Sequence, residues 1–564
     1  MAATRQPPGP VASVVLSCKA PGERHTMSNV MTCGQATVAL LEDYGIDTAF
    51  GIPGVHTIEF YRGLGERSLR HVLTRHEQGA GFMADGYARA TGRPAACLLI
   101  TGPGVTNAAT AIAQAYSDSQ PMMVVSSHNL RREIGKGWGP FHEVPNQNRI
   151  TEQMTALTGT AMTPDDVPEL MAQAWSVMMS GRPRPVHIEI PRDVLAEPVN
   201  ARWTAATAVA RPGANSALIQ QAAAALASAT RPVILAGGGA SDASETVRKL
   251  AELLGAPVAT SFAGKGIYPE DDPLALGATL CLAPVRDFIA KADMVLAVGT
   301  ELSNVDASNQ RLTIGGKLIR VDIDPRKMND FYPADIAITA DAGSALDELF
   351  QALGEEPAAA RVDRATIINE VRALRAETTS FGGSRAPEHR AVMKTLGTSL
   401  PDDTIFVGDM TQLAYTANVT FNRHHPRTWL HPAAYATLGF ALPAAIGASL
   451  GRPGTPVVSI AGDCGFQFTC QEMGVASELK LPIIQILWNN QALGEIRDAM
   501  AGGDIEPVEV TGLNPDFQGL ARAYCWHTER AESLDGLAES VTAAAARQGP
   551  SLIEVSEGAG DWAC

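Results

Sequence analysis

Positive charge is in short supply. The 564 residues hold 44 Lys and Arg against 60 Asp and Glu, a net charge of −16, which weighs against a broad surface for nucleic acid or anionic membrane and favours small molecules as partners. Long apolar runs are missing too: no stretch is long and pure enough to span a bilayer. Residues 1–26 offer only a brief apolar run between Gly/Pro breaks, too short for the core of a signal peptide, so residues 1–27 are expected to be a flexible extension. The eight cysteines (Cys18, Cys33, Cys97, Cys281, Cys464, Cys470, Cys525 and Cys564) form no CxxC pair and no metal-ligand spacing, as befits a reduced, cytoplasmic setting. No glycine run spells GxGxxG after a strand, which removes the main support for nicotinamide dinucleotide binding.

What the chain does contain is a repeated rhythm of short apolar runs and helical patterns, and its length suits about three domains. The first block, about 28–195, opens with the amphipathic pattern "TCGQATVALLEDYG" and continues through "DTAFGIPG", "PAACLLITGPG" and "RPVHIEIPRDV". A Pro- and Ala-rich connection follows at about 196–215. The middle block, about 216–350, repeats the style with "RPVILAGGGA" and "ADMVLAVGTELS", and a charged helical linker covers about 351–390. The last block, about 391–564, carries "DDTIFVGDM", "TPVVSIAGD", "LPIIQILWNN" and "PSLIEV". Strands alternating with helices at this spacing predict three α/β domains, each a doubly wound parallel sheet.

Within the last block, "VVSIAGD" reads as a buried strand ending at Asp463, "TCQEMGVASELK" as a helix, and "IIQILWNN" as a second strand ending at Asn489 and Asn490. A right-handed crossover makes the strands parallel and brings both ends to one sheet edge, where open α/β sheets bind ligands. A carboxylate, an amide oxygen and a main-chain carbonyl, that of Ala492, are hard donors suited to Mg2+ shared with a diphosphate. The alternative is that Asp463 caps a helix and the asparagines form a turn. Glu77, in "RHEQGAGFMADGYARATG", stands just after a strand-like run. A carboxyl there, walled by apolar neighbours, can exchange a proton with a ring nitrogen, or it can simply favour a helix start.

Taken together, "RHEQGAGFMADGYAR", "TGPGVTN", "ATLGFALPAAIGA" and "GDC", with Asn490 following Asp463 by 27 positions, resemble the thiamine diphosphate enzymes of the acetolactate synthase and 2-oxo acid decarboxylase superfamily. The resemblance runs from about residue 28 to the end. It implies a pyrimidine-binding, a central and a diphosphate-binding domain, and a homodimer or homotetramer in which Glu77 of one subunit meets coenzyme held by another. It further implies that Asp463, Asn490 and the Ala492 carbonyl ligate Mg2+, and that Gln412 and the backbone at Cys464 and Gly465 contact the diphosphate. Leu438 becomes the wedge that bends the coenzyme, the Ala436 carbonyl the acceptor from its aminopyrimidine, and Glu77 the partner of the pyrimidine ring nitrogen. Where the family's metal motif has a glycine, this chain has Cys464, and a catalytic thiol there is not expected.

The resemblance leaves the substrate open between decarboxylation of a 2-oxo acid and ligation to a second carbonyl compound. His56, His128, His142 and Glu495 surround the expected pocket, and histidine can deliver a proton near neutral pH. Each is, taken alone, more often a satisfied polar residue. "GIPGVHTIE", "FHEVPNQ", "VGTELS" and "NNQALGEIR" are similar to decarboxylases of 5-guanidino-2-oxopentanoate, whose guanidinium tail calls for a carboxylate fork from Glu495, Asp498 or Glu301. The stretch after "VGT" lacks the arginines that resemble FAD-binding synthases, which argues against flavin.

Overall fold

Apolar runs flanked by Gly, Pro and Asx turns build three six-stranded sheets in which neighbouring strands pair in parallel. The computed structural model describes residues 31–65, 67–200, 202–354, 363–558 and 562; the extension expected over residues 1–27 lies outside them. The first sheet contains β1 (Thr48–Gly51), β2 (Arg70–Leu73), β3 (Ala95–Leu99), β4 (Met122–His128), β5 (Leu157–Thr160) and β6 (Val186–Pro191), in the order β2-β1-β3-β4-β6-β5. Helix α1 (Cys33–Asp43) starts at a reciprocal cap, the Thr32 hydroxyl accepting from Gln35 N and the Gln35 amide accepting from Thr32 N. Two helices position site residues, α2 (Glu77–Thr91) after β2 and α3 (Pro103–Ser117) after β3. The connection after β6 is tied back by a short antiparallel pairing of Pro198–Val199 with Met31–Thr32.

The middle sheet begins at its centre with Pro232–Ala236, fills one half, then returns to build the other out to Ile336–Thr339. It has a hydrophobic core of its own. Of the linker expected at 351–390, residues 355–362 lie outside the described residues, and α4 (Arg364–Glu377) buries Ile367 and Val371 in that core.

The third sheet contains β7 (Ile405–Gly408), β8 (Trp429–Leu430), β9 (Val457–Gly462), β10 (Ile483–Asn489), β11 (His527–Ala531) and β12 (Ser551–Ser556), in the order β8-β7-β9-β10-β12-β11. That is the strand order of the first sheet repeated. Its helices include α5 (Gln412–Thr420), α6 (Ala441–Gly451), α7 (Asp463–Phe466), α8 (Met473–Glu478) and α9 (Gly494–Gly502). The helix expected over "TCQEMGVASELK" is shorter: Cys470–Glu472 form a 3₁₀ turn before α8, because Thr469 turns aside to donate its hydroxyl to Gly439 O at 2.7 Å and Glu472 reaches into the first domain. Domains one and three share one core, centred on α2 crossing α6. The crossing is close because both helices are rich in small residues: a methyl at Gly86 would strike the Ala444 carbonyl, and one at Gly447 the Met83 carbonyl. Phe82 and Phe440 fill the flank edge to face at 5.6 Å.

Candidate active site

The C-terminal edge of the first sheet gathers four of the expected residues. Glu77 is the first residue of α2, 9% exposed, and its Oε2 accepts from Asn107 Nδ2 on α3 at 2.9 Å. Gly104 lies against its other oxygen. The turn between β3 and α3 is fixed from below: Gln147 Oε1 accepts from Thr101 Oγ1 at 3.0 Å and Gly102 N at 2.9 Å, while its Nε2 donates to Glu189 at 2.9 Å. His142 sits on that turn, its carbonyl against Gly102. The His56 ring is 5.5 Å from that of His142 and buried, with neither nitrogen hydrogen-bonded. Burial, with Arg192 and His142 adding positive potential and Glu133 opposing it, pushes His56 down to about 4. It is therefore neutral at pH 7, and the proton delivery expected of it near neutrality is disfavoured. His128 ends β4, accepts Asn129 N on Nδ1 at 2.8 Å, and has Glu189 3.8 Å from Nε2. Asn129, also buried, holds Phe141 O at 2.7 Å and leaves its own Oδ1 unpartnered. Buried polar atoms left open in one neighbourhood leave donors and acceptors for a polar ligand.

The corresponding edge of the third sheet gathers the rest. Gly462 of β9 pairs with Trp488 of β10, so Asp463 and Asn489 leave the sheet side by side. Asn514 Nδ2 bridges them, 2.6 Å from Asp463 Oδ2 and 3.2 Å from Asn489 Oδ1. Asn490 closes the next turn by accepting Ala492 N at 3.2 Å. Burial pushes the Asp463 carboxyl up, while Asn514 and the amides of Cys464 and Gln491 pull it down. Among the described residues no cluster of three or more His, Cys, Asp or Glu is arranged for a metal. The donors here are instead one buried carboxylate, one amide oxygen and the Ala492 carbonyl, a set that fits Mg2+ sharing its shell with phosphate oxygens and water.

Gln412, the first residue of α5, faces this turn. Its Nε2 donates to Asp498 Oδ2 at 2.9 Å and Glu495 Oε2 at 3.3 Å, and its Oε1 accepts from Asn490 at 3.5 Å. A methyl at Gly494 would fill the space where Asn490 and Gln412 converge. Leu438 stands over Gly465, and Ala436 holds a left-handed φ of 60° two residues before it. Asp409, wholly buried and pushed by that burial to about 6, accepts Gly439 N and Ala441 N, both at 3.1 Å. The Cys464 thiol is pushed up by burial and by Asp463, against a thiolate role.

Glu301 does not join this group. It lines a separate cleft of about 250 Å³ where the three domains meet, paired there with Arg182 and, at 3.4 Å, with Lys327. Nor do the two sheet edges join each other: among the described residues no hydrogen bond links Glu77 or the three histidines to Asp463, Asn490 or Gln412. Sequence reasoning missed Asn107, Asn514, Asp409 and the Gln147–Glu189 pair. Asn107 and Gln147 end the quoted stretches "TGPGVTN" and "FHEVPNQ", and Asp409 and Glu189 sit inside "DDTIFVGDM" and "RPVHIEIPRDV"; Asn514 lies in no such stretch.

Three family models match the chain in series. They are thiamine pyrophosphate enzyme, N-terminal TPP binding domain, over residues 31–153; central domain, over 219–349; and C-terminal TPP binding domain, over 409–555. A probable 2-ketoarginine decarboxylase of Pseudomonas aeruginosa is 52% identical over 534 residues, covering 93% of this chain and 94% of that protein. A probable acetolactate synthase large subunit of Methanocaldococcus jannaschii is 32% identical, covering 93% and 92%. An acetolactate synthase large subunit of Mycobacterium tuberculosis is 34% identical, covering 87% and 82%.

Proposed function

The chain belongs to the thiamine pyrophosphate enzymes, and from that membership we propose that it decarboxylates a 2-oxo acid with a guanidinium tail, 5-guanidino-2-oxopentanoate, to 4-guanidinobutanal and carbon dioxide. The observation that carries this choice is the pair of carboxylates, Glu495 and Asp498, converging on one amide of Gln412 beside the metal turn. A guanidinium presents a planar fork of donors, and two acids that already share one amide nitrogen suit it. The 52% identity to a probable 2-ketoarginine decarboxylase, against 32–34% for the acetolactate synthases, supports the same substrate.

Asp463, Asn490 and the Ala492 carbonyl hold Mg2+, and Gln412 with the backbone at Cys464 and Gly465 holds the diphosphate. Leu438 shapes the bound coenzyme, and the Ala436 carbonyl accepts from its aminopyrimidine. Thiamine diphosphate, when bound, supplies the nucleophilic carbon and the electron sink for loss of carbon dioxide. Glu77 would hold or release a proton at the pyrimidine nitrogen, and Asn107 donates to one of its oxygens, leaving the other, beside Gly104, without that bond. His56 stays neutral and orients substrate by hydrogen bonding, while His128, beside Glu189, and His142 move protons in the pocket.

Glu77 serves coenzyme bound by a second copy, so the working unit is a homodimer or homotetramer. Two exposed apolar groups support this: Trp138, Phe141 and Val55 near the histidines, and Phe468, Tyr435 and Ile496 near the metal turn. The enzyme works in the cytoplasm with its cysteines reduced, in keeping with six free cysteines among the described residues. Among those residues no helix is long and apolar enough to cross a membrane.

A panel of 2-oxo acids assayed for carbon dioxide and for product tests the reading. The guanidino acid should give the highest kcat/KM, with an aldehyde as product. Acetolactate from pyruvate at a higher kcat/KM would overturn it in favour of ligation.

A further inference from the structure

The segment 431–440, between β8 and α6, has no regular structure, yet it carries both Ala436 and Leu438. Such backbone needs partners from elsewhere. Its own bonds are two, Ala433 N to His431 O at 3.0 Å and Ala436 N to Pro432 O at 3.1 Å. Three further anchors come from the first domain. Arg89, near the end of α2, donates to His431 O at 3.0 Å. Asp118, just past α3, accepts Ala434 N at 2.9 Å. Gln114 of α3 accepts Thr437 N at 3.3 Å and Thr437 Oγ1 at 3.2 Å.

These anchors are bonded to one another. Asp118 Oδ2 accepts from Gln114 Nε2 and from Arg89 Nη2, both at 2.7 Å, and Asp85 completes the pairing of Arg89. Gln114 is wholly buried, and both ends of its amide are committed, one to Asp118 and one to Thr437. Ala436 is held between the Ala434 and Thr437 anchors in a left-handed conformation that a side-chain-bearing residue enters only against a steric cost. Backbone strain of this kind persists where its surroundings over-determine it, and it marks functional sites.

We propose that Gln114 and Asp118 are positioning residues of the coenzyme site: they hold Ala436 in its strained conformation, so that the Ala436 carbonyl and the Leu438 side chain are set before coenzyme arrives. The inference rests on the coenzyme roles proposed for Ala436 and Leu438. It assigns the first domain a second task, since α2 and α3 carry Glu77 and Asn107 at one end and this clamp at the other.

The test uses the full chain and two readouts besides activity, amide hydrogen exchange of the coenzyme-free protein and calorimetric titration with thiamine diphosphate and Mg2+. In Gln114→Met, which keeps the side-chain volume, residues 434–438 should exchange at least tenfold faster while middle-domain peptides are unchanged. Affinity for thiamine diphosphate should fall at least tenfold, and KM for the 2-oxo acid at saturating coenzyme should hold. Gln114→Asn keeps the chemistry but shortens the reach, and should show the same pattern more weakly if the Met variant fails to fold. Unchanged exchange at 434–438, or faster exchange with undiminished affinity, overturns the proposal. Failure of the underlying reading is distinct: Leu438→Ala, with exchange at 434–438 as in the wild type, would bind thiamine diphosphate as tightly as the wild type does.

Discussion

The carboxylate of Glu472, in the third domain, accepts the backbone N–H of Arg75, two residues before Glu77, with its oxygens 3.2 and 3.1 Å away. It thus ties the residues leading into α2, whose N-cap is His76, to the third domain, and is wholly buried near the Glu77 carboxyl. Burial pushes Glu472 from its ordinary value of 4.5 up to about 7, with the N–H groups of Arg75 and His76 and the Arg75 charge opposing and Glu77 adding to the rise.

Stability should consequently fall as pH rises through this range. The folded state holds a proton that the unfolded state has already released, so the stabilisation present below pH 4.5 is lost as pH climbs through 7, about 3 kcal/mol in all. Glu472→Gln should flatten that loss. Melting temperatures at pH 5, 6, 7 and 8 check it, and a variant whose melting point drops as steeply as the wild type's would refute it.

Glu77→Gln should leave the fold intact and reduce turnover at least about a hundredfold, the usual contribution of a positioned proton-transfer group. Asn107→Ala should have a smaller effect, because it frees the carboxylate without removing it. Carbon dioxide release measured beside a thermal melt separates chemistry from folding. Full turnover in Glu77→Gln would end the proton-relay role.

The α2–α6 crossing should tolerate nothing larger than glycine at position 447. A valine there meets the Met83 carbonyl and the Tyr87 amide, both main-chain groups of a helix that cannot step aside. Overpacking of this kind costs about 1–3 kcal/mol. Urea unfolding of Gly447→Val should show it, whereas Gly454→Ala, at a turn where an added methyl meets nothing, serves as the local control for strain from its φ of 86° alone.

How far each of these residues was legible in the sequence depends on how local its physics is. Asp463 and Asn490 could be read because strand ends are marked by the chain itself: an apolar run stops at a polar residue, and parallel pairing brings the two stops together. The three sheets could be read by the same logic. Glu472 could not be read, since its partner lies 397 positions away and nothing in "CQEMG" distinguishes a solvated helix-start acid from one buried against another domain. The same holds for Asn514, which bridges Asp463 and Asn489 from outside both strands. Nor could the downward push on His56 be read, because its burial and the neighbouring Arg192 are tertiary facts.

Removing the metal should destabilise the coenzyme-bound protein but not the bare chain. If Asp463 is a ligand, thiamine diphosphate with Mg2+ at a hundred times its Kd raises stability by about 2.7 kcal/mol, and a chelator removes the gain. Asp463→Ala should abolish the ligand-induced rise in melting temperature. A variant that still melts higher with coenzyme and Mg2+ would take Asp463 out of the site.

The carboxylate pair yields the sharpest test of substrate. Glu495 and Asp498 lie three positions apart on α9, so both project to one face, and both reach the amide of Gln412. A guanidinium entering there would replace one neutral donor by a cation with several N–H groups, and hydrogen bonds to charged partners contribute about 1.5–3 kcal/mol. Asp498→Asn and Glu495→Gln keep the shape and remove the charge. KM for the guanidino acid should rise about tenfold or more in each, while kcat/KM for an uncharged 2-oxo acid of similar length should change little. Raised salt should mimic part of the loss in the wild type, because both carboxylates are exposed to solvent. Equal losses on charged and uncharged substrates would mean that the pair supports the metal turn through Gln412 rather than reading the tail, and the guanidinium would then have to be bound elsewhere.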